Sequence, residues 1–420
     1  MTEGHVDCQK TGGAFILNED VIGIALSRKN QTFMSDFFQH GMISTLHRLA
    51  DGPLLDRSAG VPKITSTVLV LPCHFSEIAT PALRTIIGRL NQSDFLSEAI
   101  ISMNGVPDAQ IETVAHFWEE LRLPHVILWN DSPSLLQQLI AQQLDFEPGK
   151  GLNIWLALGW LVINREYHTI VIHDCDIINY DLDLPLTLAM PTRSLGYTYS
   201  KGYYSRVGEE LFGRVTRLFV IPLVRSLIRV LGHMPILDFI DNFRYPLSGE
   251  CSMRVETAVN LPVENGWGLE IGWLCELHRL MEPATICQVD LAILYDHKHQ
   301  QLDALQPETG LLRMVSDIAR SLLTHLECEG PRFDAKTLDT LLQAYRTTSI
   351  DFVRRYHDVA KLNSLPFDVV RESGTIVAFH TVLENQCAEF LAGARSKSLP
   401  PWRQLLTSGW VPKFASLGRA

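Results

Sequence analysis

The chain lacks most patterns that announce a chemistry directly. Its eight cysteines include no CxxC pair and show no regular spacing, so neither a zinc site nor a disulfide framework is indicated. Reduced thiols in a cytoplasmic protein are the expectation, with Cys73, Cys175 and Cys251 as small buried packers rather than nucleophiles. Positive charge is in the minority: 36 Lys and Arg face 47 Asp and Glu, for a net charge of −11. That balance argues against broad nucleic-acid or anionic-membrane binding and leaves room only for a local basic pocket. Long hydrophobic runs are missing as well. The longest, 218–231, is broken by Pro222, Arg225 and Arg229 and is too short and too charged to span a bilayer. Residues 1–5 show no positive stretch leading into an apolar one, so no secretory signal is expected. No GxGxxG follows the first predicted strand and no GxxxxGKS/T surrounds Lys150, so the dinucleotide and P-loop fingerprints are absent.

What is present describes a globular α/β chain. Its 420 residues are 46% apolar and 20% charged, enough for a sizeable core in two domains or in one large domain with additions. Residues 1–63 read as an N-terminal helical addition, including a helix over 33–49, with no chemical motif. From Thr67 strands and helices alternate: strands at 67–71, 99–103 and 125–129, and helices at 81–90 and 109–121. This order predicts a Rossmann-like parallel sheet covered on both faces. A catalytic domain over 64–300 is followed by a helical region over 301–420, with helices at 311–326, 337–345, 350–362 and 376–391. That region reads as a cap, an oligomerisation element or plain core packing.

The chain is organised around 169–178, where Thr169, Ile170, Val171 and Ile172 form a predicted buried strand that breaks into Asp174-Cys175-Asp176. Two carboxylates two residues apart on extended chain share a direction, and they stand at the end of a strand where open α/β sheets bind ligands. Such a pair suits a hard divalent cation that takes further ligands from substrate phosphates. Read alone, Asp-x-Asp occurs by chance in many chains, and a polar strand end facing water is the commoner reading. Gly149-Lys150-Gly151 opens a helix and offers backbone N–H groups plus a cation to an anion, although a solvent-facing lysine is the commoner outcome. Glu250 and Glu270 are glycine-flanked glutamates; taken singly, each reads as a turn with a surface carboxylate. His297 and His299 arrive late in the chain, as an imidazole for a metal or as a surface pair.

Together these stretches resemble the glucosyl-3-phosphoglycerate synthases, retaining glycosyltransferases of the GT-A fold. The resemblance runs from Val68 to Gln300 through LPCHFSE (71–77), PGKG (148–151), HDCD (173–176), GRVT (213–216), PLSGE (246–250), WGLEIG (267–272) and QVDL followed by YDHKH (288–299). It implies transfer of glucose from UDP- or GDP-glucose to the 2-hydroxyl of 3-phosphoglycerate, with Mg2+, or Mn2+ or Co2+, as the metal. It further implies a cytoplasmic homodimer with small-molecule partners. By motif, Asp176 is the metal ligand of the pair and Asp174 lies nearer the donor ribose and sugar. His297 is the late metal ligand, with His299 as the alternative, because shorter members carry Ala-His-Arg after the QV run. Lys150 matches the lysine at the donor nucleotide, and Pro72 and Glu77 fall where the uridine and ribose are held. Asn104 matches a loop that is acidic or serine-containing in shorter members. Gly213, Arg214 and Thr216 match the segment that binds the acceptor's phosphate and carboxylate, and Glu250 joins them on the substrate side. Glu270 falls where the family places a carboxylate near the reacting centre.

Other functions fit less of the chain. A haloacid-dehalogenase-type phosphatase also has a strand ending Asp-x-Asp, but there a Thr or Val soon follows and the strand comes early; here Ile177-Ile178 follow and three strands precede. A non-catalytic nucleotide-sugar binder would retain the fold without needing Asp174, Asp176 and His297 together. Within the glycosyltransferases, mannosyl transfer from GDP-mannose and transfer to free glycerate are the alternatives.

Overall fold

The computed structural model describes residues 39, 41–49, 67–164, 167–292 and 310–417. Among them are eleven strands: β1 Ser44–Leu46, β2 Thr67–His74, β3 Glu98–Asn104, β4 His125–Trp129, β5 Thr169–Ile172, β6 Tyr199–Tyr204, β7 Cys251–Arg254, β8 Val263–Glu264, β9 Ile286–Ala292, β10 Ser398–Leu399 and β11 Ser416–Leu417. Nine of them form one sheet in the order β1-β9-β6-β7-β5-β2-β3-β4-β11. The neighbours β2, β3, β4 and β5 run parallel, while β7 and the edge strand β11 are antiparallel to theirs. β2 is the pivot. The chain moves outward from it to β3 and β4, then returns to place β5 on its other edge. Such a reversal opens a crevice beyond the carboxyl ends of the strands beside it.

Alternation along the strands feeds two cores. Val68 and Val70 of β2 point into one, Leu69, Leu71 and Cys73 into the other. One face is covered by helices α1 Pro81–Leu90, α2 Ile111–Trp118 and, later in the chain, α5 Asp183–Ser194, through Leu83, Trp118 and Leu188. The opposite face carries α3 Pro133–Ala141, α4 Lys150–Asn164, α6 Ile221–Leu231 and α7 Leu269–Leu280. Helices α8 Gly310–Cys328, α9 Ala335–Leu362 and α10 Val369–Leu391 join that same core through Leu322, Tyr345 and Phe379. Burying each such side chain contributes about 1.5–3 kcal/mol, which joins the helical region to the sheet by continuous apolar contact.

The predicted strands and helices are largely present, but the helix expected at 376–391 begins earlier, at Val369. The helices Pro133–Ala141 and Asp183–Ser194 were not predicted, and two further readings differ. Residues 44–46, read as the end of a helix over 33–49, are instead strand β1, paired in parallel with β9. The rest of that reading lies outside the described residues, apart from 39, 41–43 and 47–49, which are not helical. The helices expected at 337–345 and 350–362 are one continuous helix, Ala335–Leu362. The polar run between them is satisfied where it stands. Ser349 Oγ donates to the Tyr345 carbonyl at 2.6 Å, and Thr348 Oγ1 accepts from Arg229 Nη1 at 3.1 Å. Ser349 bonds back to the helix's own carbonyl without breaking it, while Thr348 is turned outward to the tertiary partners Ser226 and Arg229. No helix among the described residues is long and apolar enough to cross a membrane.

Candidate active site

β5 ends at Ile172, and the next four residues carry the chain over the crevice. His173 is fully buried and acts as a strut: its Nδ1 lies 2.9 Å from the Asp174 carbonyl and its Nε2 3.1 Å from the Tyr180 hydroxyl. Burial lowers its pKa, which suits a neutral ring bridging two groups. Cys175 is buried, leaving Asp174 and Asp176 to line a cavity of about 600 Å3.

Lys150, at the first turn of α4, reaches the same cavity. Its Nζ lies 2.6 Å from Asp174 Oδ1 and 3.2 Å from Glu270 Oε1. Burial works against its charge, but Asp174, Glu270 and Glu250 outweigh that and raise its pKa well above the usual lysine value. The lysine is therefore a fixed cation rather than the solvent-facing one that its glycine turn suggests. Behind it, three asparagines brace the start of α4 against the sheet. Asn153 Nδ2 donates to Asn104 Oδ1 at 2.7 Å, and Asn130 Nδ2 donates to Asn153 Oδ1 at 2.7 Å.

The two glycine-flanked glutamates are buried, against the surface-turn expectation. Glu250 is 1% exposed; its Oε2 accepts from the Tyr204 hydroxyl at 2.8 Å and from Ser248 Oγ at 2.9 Å. Glu270 stands on the first turn of α7, facing Lys150. The glycines around them do different work. A Cβ on Gly249 would lie 2.5 Å from Lys150 Nζ and 3.1 Å from Asp174 Oδ2, so this glycine makes room for the ion pair. Gly268 and Gly272 instead make room for Glu264, whose side-chain atoms would lie 2.3 and 2.7 Å from a Cβ at those positions. Their service is to a Glu264–His325 pair at 2.7 Å, not to a ligand.

The other wall is cationic. Gly213 has φ +73°, a left-handed turn open to glycine, and delivers Arg214 to the start of the π-helical stretch Val215–Val220 that leads into α6. Arg214 Nε donates to Glu372 Oε1 at 2.8 Å, and Arg217 Nη2 donates to Glu372 Oε2 at 3.0 Å. Thr216 is 5% exposed, lines the cavity, and has no hydrogen-bond partner for its Oγ1 among the described residues. Glu372 belongs to α10, so the helical region reaches the cavity. Arg371 and Thr375 of α10 and Leu311, Met314 and Ile318 of α8 are among the residues lining it.

Of the residues singled out from the sequence, Lys150, Asp174, Asp176, Gly213, Arg214, Thr216 and Glu270 line one cavity, with Glu250 bonded behind it. Pro72, Glu77 and Asn104 stand at the carboxyl ends of β2 and β3, or just after, and are not among its lining residues. His297 and His299 lie outside the described residues. Sequence reasoning missed Tyr204, Glu210, Tyr245, Arg371 and Glu372, since no local motif marks a tyrosine or a helix-start charge pair as belonging to a distant cavity.

The carboxylates suit a hard divalent cation. Asp176 is pushed up to about 7 by burial and by Asp174, with Glu77 and Glu250 adding and Lys150 opposing. Crowded carboxylates of this kind hold protons in the absence of a cation and release them to one. Among the described residues, no three His, Cys, Asp or Glu side chains converge into a complete metal shell. Asp174 and Asp176 would form part of one.

No family model matches the chain. Two solved structures of glucosyl-3-phosphoglycerate synthase from Mycobacterium tuberculosis share its fold at a TM-score of 0.50. The one in complex with phosphoglyceric acid is 22% identical and covers 70% of this chain and 90% of its own. The one in complex with Mn2+ and UDP-glucose is 24% identical and covers 70% of this chain and 89% of its own. The fold is thus the α/β fold of the GT-A glycosyltransferases. Sequence relatives extend the likeness along the chain. The glucosyl-3-phosphoglycerate synthase of Methanococcoides burtonii is 32% identical over 89% of this chain and 94% of its own length. That of Persephonella marina is 33% identical over 91% of this chain and 96% of its own, and with this span of identity the chain belongs to the glucosyl-3-phosphoglycerate synthase family.

Proposed function

We propose that the chain transfers glucose from a nucleoside diphosphate glucose to the 2-hydroxyl of 3-phosphoglycerate, with retention at the anomeric carbon. The observation that carries this is the polarity of one cavity: Lys150 with Asp174 and Glu270 on one side, Arg214 with Thr216 on the other. The first side suits a sugar diphosphate and the second a small organic acid. Family membership supports the same pairing.

In this reading Lys150 offsets charge on the diphosphate as its bond to glucose breaks, in a setting where a fixed cation is worth far more than in water. Asp174 stays close to the ribose and sugar. Pro72, Glu77 and Asn104 hold the nucleotide along the strand ends. Arg214 and Thr216 fix the acceptor acid, and Glu270 orients the attacking hydroxyl. That hydroxyl attacks from the face the diphosphate leaves, and its proton passes to the departing oxygen. No carboxylate is assigned as a covalent nucleophile, so an isolated glucosyl-enzyme adduct overturns this route. A divalent cation, Mg2+, Mn2+ or Co2+, held by Asp176 with His297, supplies further charge neutralisation at the diphosphate when bound.

We also propose a homodimer, which light scattering tests directly, and a cytoplasmic location, which cell fractionation tests. The boundaries 64–300 for the catalytic domain and 301–420 for the helical region belong to the same reading. Nucleoside diphosphate release from UDP-glucose, GDP-glucose and GDP-mannose tests the reaction. Each donor is paired with 3-phosphoglycerate or glycerate, with Mg2+ or with EDTA. Metal-dependent release with a glucose donor and phosphoglycerate is expected. Release only with GDP-mannose, or only with glycerate, changes the substrate assignment, and release with no pair removes the enzymatic reading.

A further inference from the structure

The cationic wall does not end at the GRVT segment. Helix α10 is capped by Asp368, whose Oδ1 accepts from the Arg371 amide at 2.9 Å, so the geometry of its first turn is fixed. Arg371 and Thr375, one turn apart, both line the cavity, and Glu372 between them turns inward and is 2% exposed. The Arg371 guanidinium is paired with Glu210 Oε2, and the other oxygen of Glu210 lies 3.5 Å from Arg214 Nη2. Two guanidiniums, one from the GRVT segment and one from the C-terminal helical region, thus converge on one carboxylate inside the cavity. Arg217 shares Glu372 with Arg214, and its charge also stacks 4.8 Å above the Tyr356 ring of α9.

Three guanidiniums, Arg214, Arg217 and Arg371, meet two carboxylates, Glu210 and Glu372. Asp368 also acts on Arg371 and Arg206 also lines the cavity, so four cations and three anions leave one positive charge in excess. Beside it stands the buried Thr216 hydroxyl without a partner among the described residues. An excess cation and an unused donor at one wall are what a small acid with two anionic ends requires. We propose that Arg371, supplied by the C-terminal helical region, is a second acceptor-binding arginine that takes one anionic end of the phosphorylated acid while Arg214 takes the other. Glu210 holds both guanidiniums in place at the mouth of the site. This rests on the acceptor assignment above.

The test is steady-state kinetics of the full chain carrying Arg371→Gln, Arg371→Lys or Arg214→Gln, with a melting curve for each. Arg371 is 44% exposed, so its replacement empties no core. Expected for Arg371→Gln is an acceptor KM raised about tenfold or more, a donor KM within about twofold, and an unchanged melting temperature. Arg371→Lys should recover part of the loss, since it keeps the charge without the fork. An unchanged acceptor KM in Arg371→Gln, with a raised one in Arg214→Gln, overturns the inference and leaves the acceptor assignment standing. Unchanged values in both remove the acceptor assignment itself. Equal rises in donor and acceptor KM with a lowered melting temperature assign Arg371 a purely structural role and also overturn the inference. Should Arg371→Gln fail to fold, Arg371→Lys decides by the same readings.

Discussion

The Lys150 ammonium lies 2.6 Å from Asp174 Oδ1, joining the first turn of one helix to the first carboxylate beyond the central strand. The helix and the strand are adjacent in chain order, yet the ion pair forms only because α4 packs across β2 and β3, next to β5 in the sheet. Its consequences are open to measurement.

Removing the cation should be costly for turnover. Lys150→Met leaves Asp174 and Glu270 facing each other without a counter-charge and takes a fixed positive group from the diphosphate side. Loss of one preorganised group of this kind lowers kcat by about 10^2–10^3-fold. The check is kcat with saturating donor and acceptor; a loss below tenfold removes Lys150 from the donor machinery.

Asp176 sets a pH dependence whose sign follows from its raised pKa. In the folded chain its carboxyl titrates at about 7, well above an unfolded aspartate. Folding therefore favours the protonated form, and the metal-free chain loses that stabilisation as pH rises from about 4 through 7. With EDTA present, Asp176→Asn should melt higher than the parent at pH 8 and equally at pH 4. Mn2+ affinity of the parent should be flat above pH 7 and weaken toward about tenfold per pH unit below it. Calorimetric titration at pH 6 and pH 8 decides the second point.

Glu372 holds two arginines from a distance of more than 150 residues in the chain. Breaking a buried ion pair by removing one partner costs about 3–5 kcal/mol, because the remaining charge stays buried. Glu372→Ala should lower the unfolding free energy by about that amount in denaturant titrations. Arg214→Ala should also raise the acceptor's KM far more than the donor's. Equal effects on both would detach Arg214 from the acceptor.

Gly249→Ala tests the close approach of the PLSGE turn to the ion pair. The added methyl lands 2.5 Å from Lys150 Nζ, and either the lysine or the turn must move. Turnover should fall at least about tenfold, since small misplacements of reacting groups carry such losses. Far-ultraviolet circular dichroism should stay unchanged.

The alternation of strands and helices was legible because local periodicity reports which face of each element is buried. That suffices for β2, β3, β4, α1 and the strand before Asp174. The pair Asp174 and Asp176 was marked out by its own spacing and Arg214 by the family resemblance, and the fold brings all three to one cavity. What the sequence did not reveal depends on partners far along the chain. Glu250 and Glu270 read as surface carboxylates, yet both are buried, because Tyr204 and Lys150 come to meet them from other elements. Gly268 and Gly272 flank Glu270, yet the space they open is filled by Glu264. The break expected near Thr348 vanished once Ser226 and Arg229 of α6 supplied its hydrogen bonds. By itself the sequence determined the local elements and the acidic end of the site, since both are written in neighbouring side chains. Only tertiary packing decided that α10 closes the cationic end, because a pairing such as Arg214 with Glu372 leaves no trace in local periodicity.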